Sequence, residues 1–217
     1  MGAMIELGSV VLIGYLLGSV SGALMLGRLR GIDIRKHGSG NAGGTNALRT
    51  VGWVFALAVV LIDVGKGVLA AWLGPRLAVL SSSGPLLDAP SLAAVAGLTA
   101  VVGHVWPIFF GFRGGKGAGT AVGVVAVVAP WCLLPLLVVW LITLLGTGYV
   151  GLATVLAGLS LVPSMALLGP SPLPLALGGL AIALAGLLLF THRGNLARLR
   201  SGTENRFEKA RVLKRRR

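Results

Sequence analysis

Three polar loops hold most of the groups in this chain that could do chemistry. They read GSGNAGGTN at 38–46, GFRGGKG at 111–117 and HRGNLARLRSGTE at 192–204. In the first, Gly38, Gly40, Gly43 and Gly44 let the backbone approach a ligand closely. Successive N–H groups in such a turn form an anion nest, and a helix starting directly after it adds partial positive charge. Ser39, Asn41, Thr45 and Asn46 supply side-chain donors, and Arg49 offers a two-pronged fork for phosphate. A helix cap alone would use one such residue rather than four.

In the second loop, Gly114, Gly115 and Gly117 surround Lys116, a composition suited to cradling phosphate. The Walker A pattern fails at both ends, because Phe110 stands where its first glycine belongs and Gly117 where its Ser or Thr belongs. No acid follows before Glu204, so there is no Walker B partner and ATP hydrolysis is not expected. A nucleotide-free phosphate site is, with Lys116 as its point charge. His104 and Pro107 lie just upstream in an apolar stretch. His104 reads either as a ligand contact or as a partner for a backbone carbonyl.

In the third loop, His192 and Asn195 share a face if the segment is helical. Histidine moves protons near neutral pH, and asparagine can orient a substrate hydroxyl. Glu204 sits among arginines and reads as ion-paired structure rather than as a base. Asp63 and Lys66, three residues apart in an apolar stretch, read as a mutual buried pair.

The segments that position these loops are nearly pure hydrocarbon. Of the 217 residues, 55% are hydrophobic and 12% charged, against about 25% charged in an ordinary soluble domain. An all-α integral membrane protein is expected, a single polytopic bundle over 1–217 with a basic tail from about 198. The first span is expected at 5–26, the second at 51–73 and the third at 92–110. No charged side chain occurs in 118–190.

Lys and Arg concentrate in 27–50, in 111–117 and after Thr191, which puts those regions on the cytoplasmic side. The N-terminus is then outside and the C-terminus inside. The segment 118–190 must cross an even number of times. Two helices of roughly 36 residues are too long and four of roughly 18 are feasible. The breaks are expected at 130–135, 146–148 and 168–174. This gives seven transmembrane helices, with five longer, kinked ones as the other solution.

The net charge of +13 lies between apolar segments and in the tail, where membrane topology puts it. There is no aromatic-interleaved basic face, so no nucleic acid partner is expected. The tail fits attraction to anionic membrane lipids. The single cysteine, Cys132, builds neither a disulfide nor a thiolate metal site. The N-terminus lacks a basic region and cleavage site and reads as a retained span. His37, His104 and His192 all fall beside the polar loops, which marks the loops as one site. Nothing in the pattern sets an oligomeric state.

The three loops together resemble the three motifs of the PlsY family, the bacterial acyl-phosphate-dependent glycerol-3-phosphate acyltransferases. Residues 38–46 resemble GSGN-x-GATN, with Gly44 in the usual alanine slot. Residues 103–120, GHVWPIFFGFRGGKGAGT, resemble GH-x2-P-x-F-x2-F-x-GGKG-x-AT, with Gly119 for alanine. Residues 192–204 resemble HR-x-NI-x-RL-x2-GTE, with Leu196 for isoleucine. The resemblance covers nearly the whole chain.

It implies acyl transfer from acyl phosphate to the 1-hydroxyl of sn-glycerol 3-phosphate, the entry step of phospholipid synthesis at the inner membrane. It implies no metal, no cofactor and no coenzyme A thioester. Ser39, Asn41, Thr45 and Arg49 would bind phosphate and stabilise the oxyanion. Lys116 and its glycines would hold the second phosphate, and His192 and Asn195 would position glycerol 3-phosphate. An H-x4-D acyltransferase is excluded, because Ala42, Phe109 and Ala197 stand where the acid belongs. A transporter for an organic phosphate is the alternative from another class, but it would place its site near the midplane.

Overall fold

In hydrocarbon a backbone finds no outside partner for its N–H and C=O groups, so long apolar runs become helices. The computed structural model of this protein describes residues 2–78 and 86–207, and every regular element among them is helical. The expected basic tail beyond Phe207 lies outside the described residues. The chain divides into two compact units, Met1–Pro130 and Trp131–Arg217.

In the first unit, α1 (Gly2–Ser19) and α2 (Gly22–Leu29) form a bent pair, with 46° between them. They are followed by α3 (Gly44–Thr50), α4 (Trp53–Ala78), α5 (Ala89–Val105) and α6 (Ala118–Val128). α1 packs on α5 and α4, and α4 on α5 and α6. The backbones approach closely because small residues face one another. A Cβ on Gly18 would strike the Ala100 backbone, and one on Gly123 would strike the Val64 carbonyl. Such contacts drive helix association where lipid is as apolar as leucine. Beneath the first polar loop, Ala23, Leu24, Ile34, Ala42, Phe55 and Val59 form a buried cluster that anchors it.

The expected uninterrupted first span is in fact broken at Val20–Ser21. The groups freed by the break are taken up by α4. Lys66 Nζ donates to the carbonyls of Gly18 and Val20, both at 2.8 Å, and Asp63 Oδ1 accepts from the Gly22 N–H at 3.2 Å.

The second unit holds α7 (Leu133–Thr147), α8 (Val150–Leu168), α9 (Leu175–Thr191) and α10 (Arg193–Arg200). α8 packs against both α7 and α9, and α10 lies against α8 and α9. The α7–α8 turn runs through Gly148, whose φ is +78°. The chain after α10 closes it: Phe207 N–H donates to Gly148 O at 2.8 Å and Arg206 Nε to Thr147 O at 3.0 Å.

Residues 118–191 thus form four helices, separated near the expected break points. Their lengths are less even than expected. The 11 residues of α6 rise about 16 Å, against a hydrocarbon core about 30 Å thick. Among the described residues, four helical stretches are long and apolar enough to cross a membrane: Trp53–Leu77, Ala89–Phe110, Pro130–Thr147 and Val150–Leu168. The number is six if α1 with α2 and α9 with α10 each count as one bent span, and α6 is a further, shorter apolar helix.

Candidate active site

The first loop is drawn tight by a residue at its far end. Asn46 is 1% exposed. Its Oδ1 accepts from the Ser39 N–H at 2.9 Å, and its Nδ2 reaches the carbonyls of His37 at 3.0 Å, Asn41 at 3.1 Å and Ile34 at 3.2 Å. Asn46 was expected as a donor to substrate. Both amide protons are instead committed to the loop's own carbonyls, so the geometry makes it the frame of the loop. Gly38 is required beside it, because its φ is +57° and a Cβ would strike Asn46 Oδ1 and lie 2.8 Å from Thr50 Cγ2.

The groups left facing outward are Ser39, which is exposed, the half-buried Asn41 and Thr45, and the exposed Arg49 in the last turn of α3. Gly40 is exposed at φ +71°. Gly43 is the N-cap of α3 and no side chain caps the helix. The first-turn N–H groups at 44–46 therefore have no intrahelical acceptor. At 7 residues, α3 has little dipole of its own, so any attraction for an anion would come from those N–H groups.

The second loop curls back on the end of α5. Phe112 N–H donates to Pro107 O at 2.9 Å, Gly114 N–H to Val105 O at 3.1 Å and Gly115 N–H to His104 O at 3.1 Å. A Cβ on Gly114 would strike the His104 carbonyl, and one on Gly115 would strike His104 Nε2 and lie 2.6 Å from the Ala42 carbonyl. Gly117, at φ +88°, opens α6, and Lys116 beside it is half-buried.

Arg35 joins the two loops. Its Nη1 donates to the carbonyls of Phe110 at 3.0 Å and Arg113 at 3.1 Å, while Nη2 and Nε hold Asp33 at 2.9–3.3 Å. The side-chain hydrogen bond from Arg35 pulls the Asp33 carboxyl down to about 2, and the same bond raises Arg35. Arg28 adds a bond to Phe109 O at 3.3 Å and stacks on the Phe110 ring. With the Ala42 carbonyl also against Gly115, residues 38–46 and 111–117 meet within the first unit.

Beneath them lies a buried knot. Lys66 Nζ is 3.1 Å from Asp63 Oδ1, the expected pair. It is also 2.9 Å from His104 Nδ1, which lies 3.4 Å from Asp63 Oδ1. His104 thus has side-chain partners, where the sequence pointed to a carbonyl or a ligand.

In the second unit the expected third loop is largely helix. α10 continues α9 at a 51° bend with His192 at the corner. His192 is 5% exposed, and its Nδ1 lies 2.8 Å from Leu188 O. A carbonyl accepts only, so Nδ1 carries a proton. Asn195 Nδ2 donates to Glu204 Oε1, and Arg198 Nε donates to Glu204 Oε2 at 2.7 Å. Glu204 is thus the ion-paired acid the sequence suggested, and it also fixes the Asn195 amide. Against Asn195 lies Gly151, where a Cβ would be 2.7 Å from Nδ2. No sequence signal marked Gly151.

The family model described as glycerol-3-phosphate acyltransferase matches residues 8–202. A Shouchella clausii (strain KSM-K16) protein named glycerol-3-phosphate acyltransferase is 44% identical over 211 residues, which cover 95% of this chain and 98% of that protein. A Symbiobacterium thermophilum protein of the same name is 42% identical, over 94% of this chain and 96% of its own. The crystal structure of PlsY, an integral membrane glycerol 3-phosphate acyltransferase, in its glycerol 3-phosphate form superposes with a TM-score of 0.82 at 35% identity, covering 93% of this chain and 95% of that one. The lysophosphatidic acid form gives 0.79 at 34% identity, covering 92% and 94%.

Proposed function

This chain belongs to the glycerol-3-phosphate acyltransferase family, and we propose that it moves an acyl group from acyl phosphate to the 1-hydroxyl of sn-glycerol 3-phosphate. The products are lysophosphatidate and inorganic phosphate. The observation that carries this reading is the Arg35 clasp, which holds the Ser39 loop and the Lys116 loop at one end of a bundle that is otherwise hydrocarbon. Both substrates carry phosphate, and the clasped loops offer N–H groups, hydroxyls and cations rather than carboxylates.

The glycerol oxygen attacks the acyl carbonyl, the new C–O ester bond forms, and the C–O bond to phosphate breaks. The hydroxyl proton leaves on the departing phosphate. Ser39, Asn41, Thr45 and Arg49 bind phosphate and stabilise the oxyanion, with Gly38, Gly40 and Gly43 shaping the turn. Lys116, with Gly114, Gly115 and Gly117, holds the second phosphate. His192 and Asn195 orient glycerol 3-phosphate. Because acyl phosphate is already activated, alignment supplies most of the acceleration.

The charge pattern supports seven crossings, an inner-membrane location and a site on the cytoplasmic side. The broken α1–α2 helix would suit the rival transporter, but Lys66 already occupies its carbonyls. The test is purified protein incubated with acyl phosphate and labelled glycerol 3-phosphate, with and without chelator, and separately with acyl-CoA. Lysophosphatidate formed from acyl phosphate alone, insensitive to chelator, is the expected result. Uptake of glycerol 3-phosphate into liposomes without acylation would reject it.

A further inference from the structure

Three ionisable groups meet inside the first unit, away from the exposed face of the loops. Asp63, Lys66 and His104 are 3%, 6% and 3% exposed. The Asp63 carboxylate at 3.1 Å favours Lys66 as an ammonium, and the contacts of that ammonium then assign the histidine proton. A lysine ammonium has three N–H donors and no acceptor. Two reach the carbonyls of Gly18 and Val20 at 2.8 Å, and the third faces His104 Nδ1 at 2.9 Å and Asp63 Oδ1 at 3.1 Å. A donor this close to Nδ1 leaves no room for a proton there. Nδ1 therefore accepts, and the neutral ring carries its proton on Nε2. That nitrogen sits against Gly115, and the Ala42 carbonyl oxygen converges on the same point beside the Gly115 Cα.

We propose that Asp63 and Lys66 are positioning residues for the anion-binding loops, acting by holding His104 as an Nε2–H donor where Gly115 meets the Ala42 carbonyl. This rests on the reading of those loops as the substrate site. In this tautomer the Nε2–H and the Ala42 carbonyl, which both border Gly115, attract one another and draw the two loops together. In the opposite tautomer a ring lone pair would face the lone pairs of Ala42 and push them apart. Asp63 keeps the ammonium in place and accepts from Gly22, so the fastening that closes the α1–α2 break also sets the seam between the loops.

The experiment is a long-range 15N–1H correlation spectrum of full-length protein, labelled at histidine, in lipid nanodiscs. His104 is assigned by its loss in His104→Gln, or by elimination with His37→Gln and His192→Gln should that variant not fold. The expected spectrum shows a neutral His104 ring protonated on Nε2. Lys66→Met is expected to move the proton to Nδ1, facing Asp63. Kinetics supply the second readout. Glutamine carries its amide donor to the ε position and asparagine only to the δ position. His104→Asn should therefore fall ~2- to 10-fold below His104→Gln in kcat/KM for glycerol 3-phosphate, the range for one lost hydrogen bond. A wild-type ring protonated on Nδ1, whether neutral or charged, overturns the proposal. So do folded His104→Asn and His104→Gln variants of equal activity. A wild-type protein that does not acylate glycerol 3-phosphate would refute the function while leaving the tautomer result to stand by itself.

Discussion

Replacing Gly115 with alanine separates contact from conformation in the second loop. Gly115 is not one of the glycines with positive φ, so alanine meets no backbone strain there. It meets matter instead. The new Cβ would strike His104 Nε2 and lie 2.6 Å from the Ala42 carbonyl oxygen and 2.9 Å from His104 Cε1. Carbon contacts are comfortable at about 3.5–4.0 Å, so one side must retreat by most of an ångström. Neither yields easily. The carbonyl is backbone within the Asn46-framed loop, and the ring is held by Lys66 at 2.9 Å. Overpacking of this kind costs about 1–3 kcal/mol. A loop displaced by about 1 Å at a positioning site loses on the order of 100-fold in rate.

Gly119→Ala is the matched control, four positions along. Its Cβ would lie 3.4 Å from Asp63 Cβ and 3.9 Å from Val64 Cγ2, ordinary contacts between α6 and α4. Helix propensity favours alanine there by up to about 1 kcal/mol. The assay is acyl transfer from acyl phosphate to labelled glycerol 3-phosphate in nanodiscs, with the thermal midpoint recorded beside it. Gly115→Ala should lose ~30- to 100-fold in kcat/KM, and Gly119→Ala should stay within about 2-fold with its midpoint no lower. A Gly115→Ala protein as active and stable as its parent would refute the close-contact reasoning, and so would equal losses in both.

Asn46→Asp should be worse than Asn46→Ala, because aspartate removes both donors and turns a carboxylate toward three carbonyls. A loss of at least ~10-fold in kcat/KM beyond the alanine variant, with unchanged helix content by circular dichroism, is the expected outcome. Asp33, depressed to about 2 by its Arg35 bond against an ordinary 3.8, contributes stability that is present above the ordinary value and lost as pH falls through the folded one. Asp33→Asn should therefore lower the melting midpoint near neutral pH by at most about 1 kcal/mol equivalent, since the pair is partly exposed, and the difference should close between about pH 4 and pH 2. Glu204→Gln keeps the shape but offers Asn195 and Arg198 one acceptor oxygen in place of two. It should raise KM for glycerol 3-phosphate ~10-fold with a smaller change in kcat, and an unchanged KM would remove Glu204 from the support of Asn195.

The helices and the loops were legible in the sequence because both are local. The uncharged stretch 118–190 broke near Pro130, Gly148 and Gly169, where the pattern placed its interruptions. The first motif lay next to a helix, as its glycines and asparagines suggested. What was not legible depended on distant partners. The run Gly18-Ser19-Val20-Ser21-Gly22 allows a kink, but the groups that make a full break tolerable in hydrocarbon sit in α4, at Asp63 and Lys66. Asn46 looked like a ligand donor because its type is right. Only the fold shows that its protons are taken by Ile34, His37 and Asn41. The third motif looked like a loop because it is polar, yet Leu196 and Leu199 and the lack of proline let it continue as α10.

The same polar residue types therefore do two jobs, and burial sorts them. Where water is absent, an unpaired polar group costs several kcal/mol, so the buried polar side chains of the loops are tied to something, whereas Glu6, Ser21 and Thr120, outside the loops, have no hydrogen-bond partner among the described residues. Asn46 spends its amide on the loop, Lys66 on a broken helix, and Glu204 on Asn195 and Arg198. Ser39 and Arg49 are exposed and Thr45 half-buried, where no such debt has to be met inside the fold. On the proposed function, they are the groups that would turn toward an arriving anion without breaking a bond that holds the protein together. A conserved-looking motif in a membrane enzyme is then a mixture of frame and tool. Substitutions in the frame should lower stability and rate together, and substitutions in the tools should lower rate alone. Comparing Asn46→Ala with Ser39→Ala on both readouts measures that division directly.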